Sequence, residues 1–255
     1  LLRNKNFDNS PDMNLSQGSG WSIDANNFPS GAQGFVVSGG HLSPMYYLYT
    51  VDSGIPKLYK SAGSTNQTTS WEELNVQGNL LQSRPWPASG ILLHANGASG
   101  LNDTTYGPVF ANPYNEQEVF VLTSTGIQVS ETGGFAFQTD TELTSLLTDG
   151  GKFPLTANFD GGNGRNVRRG VGSRATLMGT LSHMAFLRDN PKVMVAASPF
   201  TGLFYKGPGG KWISLNAYLR RPYTPISAVA IDGEAIYFVT EGRGIFRLLN
   251  YQNAR

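Results

Sequence analysis

Acidic side chains are the residues of this 255-residue sequence whose chemistry is easiest to place. Hydrolysis of a glycosidic bond needs two carboxyl groups that face each other across a cleft, roughly 5–10 Å apart. Most acids here lie in turns that contain Gly or Asn, where a carboxylate typically accepts hydrogen bonds from its own backbone. Asp160 is the exception, because it lies in a long segment outside the strand pattern. If the chain is an enzyme, we expect Asp160 and one of Asp140 or Asp24 to be the working acids.

The segment around Asp160 also offers oxygen ligands for a metal ion. Calcium prefers carboxylate and carbonyl oxygens, so Asn158, Asp160 and Asn163 are the candidate ligands of a calcium site. With one carboxylate and no closing glutamate, the segment departs from known calcium loops, and we expect neither a metal nor a cofactor. The three histidines of the chain lie far apart and lack the spacing of metal ligands: His41, His94 and His183.

A tryptophan and a group of arginines are the candidate ligand-binding residues. Trp86 lies in the stiff segment Arg84-Pro-Trp86-Pro, and its ring offers a large apolar face on which a sugar could stack. A tryptophan that plugs the space between two sheets is equally consistent with this segment. Arg165, Arg168 and Arg169 are bunched together, which is typical of a solvated surface or of one that contacts a partner.

A repeated pattern of short strands must position these residues. Each copy consists of an apolar strand, a turn with glycine and a second apolar strand, and a shorter apolar strand precedes it. In three of the four copies a further glycine turn ends in an aromatic residue. The copies begin at Tyr46, Val119, Val193 and Ile236. The unit is therefore an antiparallel sheet of four strands.

The repeat predicts an all-β fold, a β-propeller of four clear four-stranded blades plus one or two degenerate ones, complete or part of a larger ring. Residues 1–34 are expected to form an irregular segment or an incomplete blade, and residues 35–255 the propeller domain. Helical periodicity is confined to Thr139–Thr148, where a helix and a loop fit equally well. The start at Leu1, without methionine, indicates a matured product or a piece of a longer polypeptide.

Composition excludes several classes of protein. The absence of cysteine excludes disulfides and thiolate metal sites. A net charge of +1, with 15% charged residues, gives no reason to expect nucleic acid or an acidic membrane surface as a partner. No apolar stretch of the sequence approaches the length of a membrane span.

The glycine turn after the third strand resembles the Asp-box of sialidase-like (BNR) β-propellers, whose pattern is Ser-x-Asp-x-Gly-x-Thr-Trp. Ser130–Phe137 keeps the serine, the glycine and a final aromatic, with Thr132 in the aspartate position. Lys206–Trp212 keeps the glycines and the tryptophan in a turn one residue shorter. The resemblance implies that the turn is structural: its polar side chains satisfy backbone donors, and its aromatic packs between blades.

The strand phrases also look like the repeats of secreted Asp-box propellers, including xyloglucan-cleaving endoglucanases, which implies an extracellular or cell-surface location. A sialidase would need three arginines from separate blades, whereas the arginines here are bunched. Because this fold hosts many functions, the resemblance carries no activity. We therefore expect a non-catalytic propeller that recognises a protein or a glycan, or that joins other blades or subunits of a larger assembly. The alternative is an Asp-box glycoside hydrolase that acts on a polysaccharide.

Overall fold

The structure is a computed structural model, and most of its regular structure is antiparallel β-sheet. It describes residues 2–4, 21–23, 29–39, 44–62, 70–81, 108–155, 179–219, 224, 226–240 and 244–253. None of the helices in these ranges is long and apolar enough to cross a membrane.

The chain begins with a strand pair and continues into sheets whose strands are neighbours in chain order. The pair consists of β1 (Leu2–Asn4) and β2 (Trp21–Ile23). The first sheet contains β3 (Ala32–Ser38), β4 (Met45–Asp52), β5 (Ile55–Ala62) and β6 (Glu72–Glu73). The second sheet contains β7 (Val109–Ala111), β8 (Val119–Thr123), β9 (Gly126–Ser130) and β10 (Gln138–Asp140).

Two further sheets follow with the same antiparallel order. The third sheet contains β11 (His183–Leu187), β12 (Asn190–Ser198), β13 (Gly202–Lys206) and β14 (Trp212–Ser214). The fourth sheet contains β15 (Ile226–Ile231), β16 (Ala235–Thr240) and β17 (Gly244–Leu249).

The fold is a β-propeller, as the sequence repeat predicts. The three sheets with four strands are those whose repeats end in an aromatic-closed turn, whereas the copy without that turn has three strands in the described part of the chain. The first sheet begins at Ala32, close to the expected domain start at residue 35, which stays a prediction.

Apolar side chains on both faces of the strands hold successive sheets together. Along β8, Val119 and Val121 pack against the first sheet, whereas Phe120 and Leu122 pack against the third. All four are at most 1% exposed, because alternate residues of a strand point to opposite faces. A third cluster joins the third and fourth sheets. Each boundary between sheets is therefore a small hydrophobic core.

One α-helix is present among the described residues, α1 (Thr141–Leu147), directly after β10. Of the two alternatives left open for Thr139–Thr148, the structure has the helix, and the first two residues of that range belong to β10. Leu143 and Leu147 are fully buried in the cluster between the second and third sheets. The Ile127 N–H donates to Thr144 Oγ1 at 2.9 Å, which ties the helix to β9.

The turn between β9 and β10 is held by two hydroxyl groups. Ser130 Oγ accepts from the N–H of Gly134 at 2.8 Å and from that of Thr132 at 3.2 Å. Thr132 Oγ1 accepts from the Ala136 N–H at 3.0 Å. A threonine hydroxyl therefore supplies an acceptor where the sequence pattern leads one to expect aspartate. Gly134 has φ +88°, a conformation that favours glycine.

We expect Ser130→Ala to lower the free energy of unfolding by about 1–3 kcal/mol, because two N–H groups of a buried turn lose their acceptor. Urea denaturation followed by tryptophan fluorescence measures the loss. Ser145→Ala, at an exposed position of α1, is the matched control and should change stability by less than about 0.5 kcal/mol. Equal effects of the two substitutions would contradict the role assigned to Ser130.

Candidate functional site

The loops of these sheets fall into two groups, because the connections of an antiparallel meander alternate between its two ends. One end, called the connector end here, carries the turns between second and third strands and the segments that lead to the next sheet. The other, called the turn end, carries the turns between first and second and between third and fourth strands. Residues 82–107 and 156–178 connect sheets in chain order, so the described residues that flank them lie at the connector end.

The described residues on either side of segment 82–107 lie beside the turn between β8 and β9. Leu80 forms an antiparallel bridge with Thr123. The Leu122 N–H donates to the Pro108 carbonyl at 2.7 Å. The Tyr49 hydroxyl of the first sheet donates to the Leu81 carbonyl at 2.9 Å. The chain thus leaves and re-enters the described structure at the connector end of the second sheet.

The described residues on either side of segment 156–178 lie at the same end of the second sheet. Leu155 forms a parallel bridge with Gly179, and the Gly179 N–H donates to the Pro154 carbonyl at 2.7 Å. These residues follow α1, which is bound to the start of β9 through Thr144. The anchors of both segments therefore lie at one end of one sheet.

Most of the predicted site residues lie on segments that the structure does not describe. Asp140 is in the described part of the chain. The catalytic, calcium and ligand-binding candidates outside it are Asp24, Trp86, Asn158, Asp160, Asn163, Arg165, Arg168 and Arg169. Within the described ranges, no three His, Asp or Glu side chains are grouped so as to hold a metal ion.

Asp140 joins the second sheet to the third. Its Oδ1 accepts from the Leu143 N–H at 2.9 Å and so caps α1, and its Oδ2 accepts from the Trp212 indole N–H at 2.7 Å. Glu142 Oε2 accepts from the Trp212 main-chain N–H at 2.9 Å. Trp212 itself is buried between the sheets, as expected for an aromatic that closes a blade. Both oxygens of Asp140 thus serve the architecture, and its pairing with Asp160 stays a prediction.

A buried acid that is not among the candidate residues lies at the turn end. Glu118 is 6% exposed, and it accepts a hydrogen bond from the carboxamide of Asn112. The same carboxamide donates to the Pro191 carbonyl of the third sheet at 3.1 Å. Burial raises the pKa of the Glu118 carboxyl, and the bond from Asn112 opposes that shift. In the sequence, Glu118 stands directly before the apolar strand β8, and this position indicates that its carboxyl group is buried.

His183 connects the first strands of the third and fourth sheets. It begins β11, and its Nδ1 accepts from the Val229 N–H of β15 at 3.3 Å. Burial lowers the pKa of the imidazole. His183 is therefore held between the two sheets, and its Nδ1 serves as an acceptor that links them.

Neither a scan against protein-family models nor a search of the curated proteins found a match. Among solved structures, the chain is similar to the extracellular domain of a hybrid two-component system from B. thetaiotaomicron (10% identity, TM-score 0.45, 87% of this chain and 24% of that one). It is also similar to the GH74 xyloglucanase from Xanthomonas campestris (14% identity, TM-score 0.49, 91% and 32%). The Pan2 WD40 domain of Neurospora crassa is a further neighbour (11% identity, TM-score 0.37, 89% and 48%).

The chain spans between 24% and 48% of the length of these three chains. At such identities and TM-scores the likenesses carry no argument about activity, and the assignment of the fold rests on the sheets of this chain.

We expect Asp140→Asn to lower the free energy of unfolding by about 1–3 kcal/mol. Whichever way its carboxamide turns, either the Leu143 N–H or the Trp212 indole N–H loses its acceptor. Glu142→Gln is the control, because its carboxamide oxygen can still accept from the Trp212 main chain. Urea denaturation of both variants measures the free energy of unfolding. If Asp140→Asn loses no more stability than Glu142→Gln, the role of Asp140 in joining the two sheets is refuted.

We expect the free energy of unfolding to fall as the pH decreases below 6.5, the ordinary pKa of histidine. Burial lowers the pKa of folded His183, so the unfolded chain binds this proton more readily, and acid favours unfolding. His183→Asn keeps an acceptor for the Val229 N–H and does not titrate, so it should flatten this dependence. Urea denaturation between about pH 5 and about pH 8 measures both slopes. Identical slopes for the two proteins would exclude His183 as the cause.

Proposed function

We propose that this chain is a non-catalytic β-propeller module that acts outside the cell or at its surface and binds a protein or a glycan at its connector end. The observation that carries the proposal is that the described residues flanking segments 82–107 and 156–178 lie together at that end of the second sheet. These segments contain Trp86 and the arginine group Arg165, Arg168 and Arg169. Loops on a rigid sheet scaffold are the usual carriers of binding residues.

The contacts of the described acids favour binding over catalysis. A glycoside hydrolase needs two carboxyl groups free to face a substrate. Asp140 and Glu142 instead hold Trp212, and Glu118 is bonded to Asn112. Further acids form ion pairs with neighbouring basic side chains: Glu73 with Lys57, Glu72 with Lys60, Asp149 with Lys152, and Glu234 with Arg247.

The residue types of the two segments indicate the chemistry of the ligand. Arginine guanidinium groups are always charged and bind carboxylate, sulfate or phosphate groups through paired N–H donors. The Trp86 ring adds an apolar surface suited to a sugar face or an apolar side chain. The module is therefore suited to an acidic glycan or an acidic protein surface.

A glycan array that includes acidic and neutral glycans, combined with a hydrolysis assay on the same polysaccharides, tests the proposal. We expect the wild-type protein to bind acidic glycans without releasing reducing ends. Trp86→Ala and Arg168→Ala should each weaken binding about tenfold or more, a change of about 1.4 kcal/mol. Arg188→Ala, at an exposed position of the turn end, is the matched control and should leave binding unchanged.

Two results would overturn the proposal. Release of reducing ends by the wild-type protein, lost in Asp160→Asn, would establish a glycoside hydrolase instead. Binding that is equally strong in Trp86→Ala, Arg168→Ala and Arg188→Ala would show that the ligand site lies elsewhere on the molecule.

A further inference from the structure

The fourth sheet exposes an apolar face, called the outer face here. On β16, Ile236 and Phe238 point toward the third sheet and are buried. The alternate residues point the opposite way, together with their partners on β15 and β17. Two of them are strongly exposed, Ile245 at 73% and Leu249 at 50%. The outer face consists of Ala228, Ala230, Tyr237, Val239, Ile245, Arg247 and Leu249.

The strand register shows that these positions are buried in the other sheets. In three sheets the second strand ends on a hydroxyl residue that is paired with the glycine opening the third strand: Thr123–Gly126, Ser198–Gly202 and Thr240–Gly244. Counted from these pairs, Ile245 corresponds to Leu203 and Ile127. Both counterparts are 0% exposed, because the following sheet packs on them.

The middle strand gives the same result. The counterparts of its two half-buried outer-face residues are at most 1% exposed: Leu122 and Ala197 for Val239, and Phe120 and Val195 for Tyr237. The outer face therefore has apolar side chains at the positions by which the second and third sheets contact the next sheet. It continues the established interfaces of the stack, and a sheet face is its natural complement.

The charge on this face is already neutralised within the sheet. Arg247 lies over the Tyr237 ring, 5.8 Å from its centroid, and pairs with Glu234 at 3.6 Å. Covering the face therefore buries no unpaired charge. The net charge of +1 also makes repulsion between copies of the chain small.

We propose that the outer face docks against the same face of a second copy of this chain, related to it by a two-fold axis. On the face of the first sheet that points away from the second sheet, Leu48 and Thr50 are already covered, at 2% and 1% exposure. Val37 and Ile55 lie on the same face and are 37% and 60% exposed, so head-to-tail packing on the first sheet is the competing arrangement, which Ile55→Asp would disrupt. A face that packs on itself closes the assembly at two copies. In such a dimer the two fourth sheets would pack face to face about 10 Å apart. Ile245 would then be covered by the sheet of the second copy, just as Leu203 and Ile127 are covered by the next sheet of their own chain. The proposal is independent of any ligand at the connector end.

Sedimentation equilibrium of the wild-type protein and two matched variants tests the proposal. We expect the wild-type protein to form a dimer and Ile245→Asp to be monomeric at the same concentration. The control is Ile55→Asp, because Ile55 is 60% exposed and begins β5 after a comparable turn, but lies in the first sheet. It should remain dimeric. Far-ultraviolet circular dichroism and the melting temperature check that both variants fold.

Three outcomes would overturn the proposal. They are a wild-type monomer at concentrations up to about 100 μM, a dimer that Ile245→Asp does not weaken, and a wild-type assembly larger than a dimer.

A cysteine variant keeps the proposal testable if Ile245→Asp fails to fold. The sequence has no cysteine, so Ile245→Cys carries a single thiol. A bismaleimide should link two copies of Ile245→Cys and should link few copies of Ile55→Cys. Equal yields of linked dimer from the two variants would contradict docking through the outer face.

Discussion

The sheets of this protein carry apolar side chains on both faces, so a sheet needs a neighbour on either side to bury both of them. The central strand β8 shows the constraint most clearly, because all five of its residues, including Thr123, are buried. Burial of apolar surface contributes about 25 cal/mol per Å², so one uncovered sheet face forfeits a large share of the stabilisation that the others gain. The stacking of the sheets, the hydrogen bonds between them and the docking proposed for the outer face of the fourth sheet are all consequences of this need to cover both faces.

Polar side chains fix the spacing of the sheets where apolar packing alone would allow them to slide. Asp140 binds Trp212 across one boundary, and Ser182 donates to the Ile226 carbonyl at 2.6 Å across the next. Such groups are costly to bury without partners, and the partners lie on the neighbouring sheet. Asp140 and Glu142 are thereby engaged in the scaffold. The proposed binding function rests instead on residues 82–107 and 156–178, whose described neighbours lie at the connector end.

The sequence predicts the strands well because their signal is local. Apolar runs, glycine turns and closing aromatics lie within a few residues of one another, and the copy without an aromatic-closed turn is the one with three described strands. The faces of the strands are harder to predict. Alignment of the repeats by their first valine matches Val119 with Val193, whereas the register, counted back from Thr123 and Ser198, matches Val119 with Met194. A shift of one residue exchanges the two faces of a strand.

The roles of single acids are also not local. Asp140 is 72 residues away from Trp212 in sequence, so no pattern around Asp140 reveals that it binds the indole N–H.

Hydrogen–deuterium exchange at low and high protein concentration tests most directly whether every sheet face needs a neighbouring sheet to cover it. The account predicts slow exchange in β8 and β12 at both concentrations, and exchange in β17 that is fast in dilute solution and slower in concentrated solution. Exchange in β17 that is as slow as in β12 at every concentration would contradict the account.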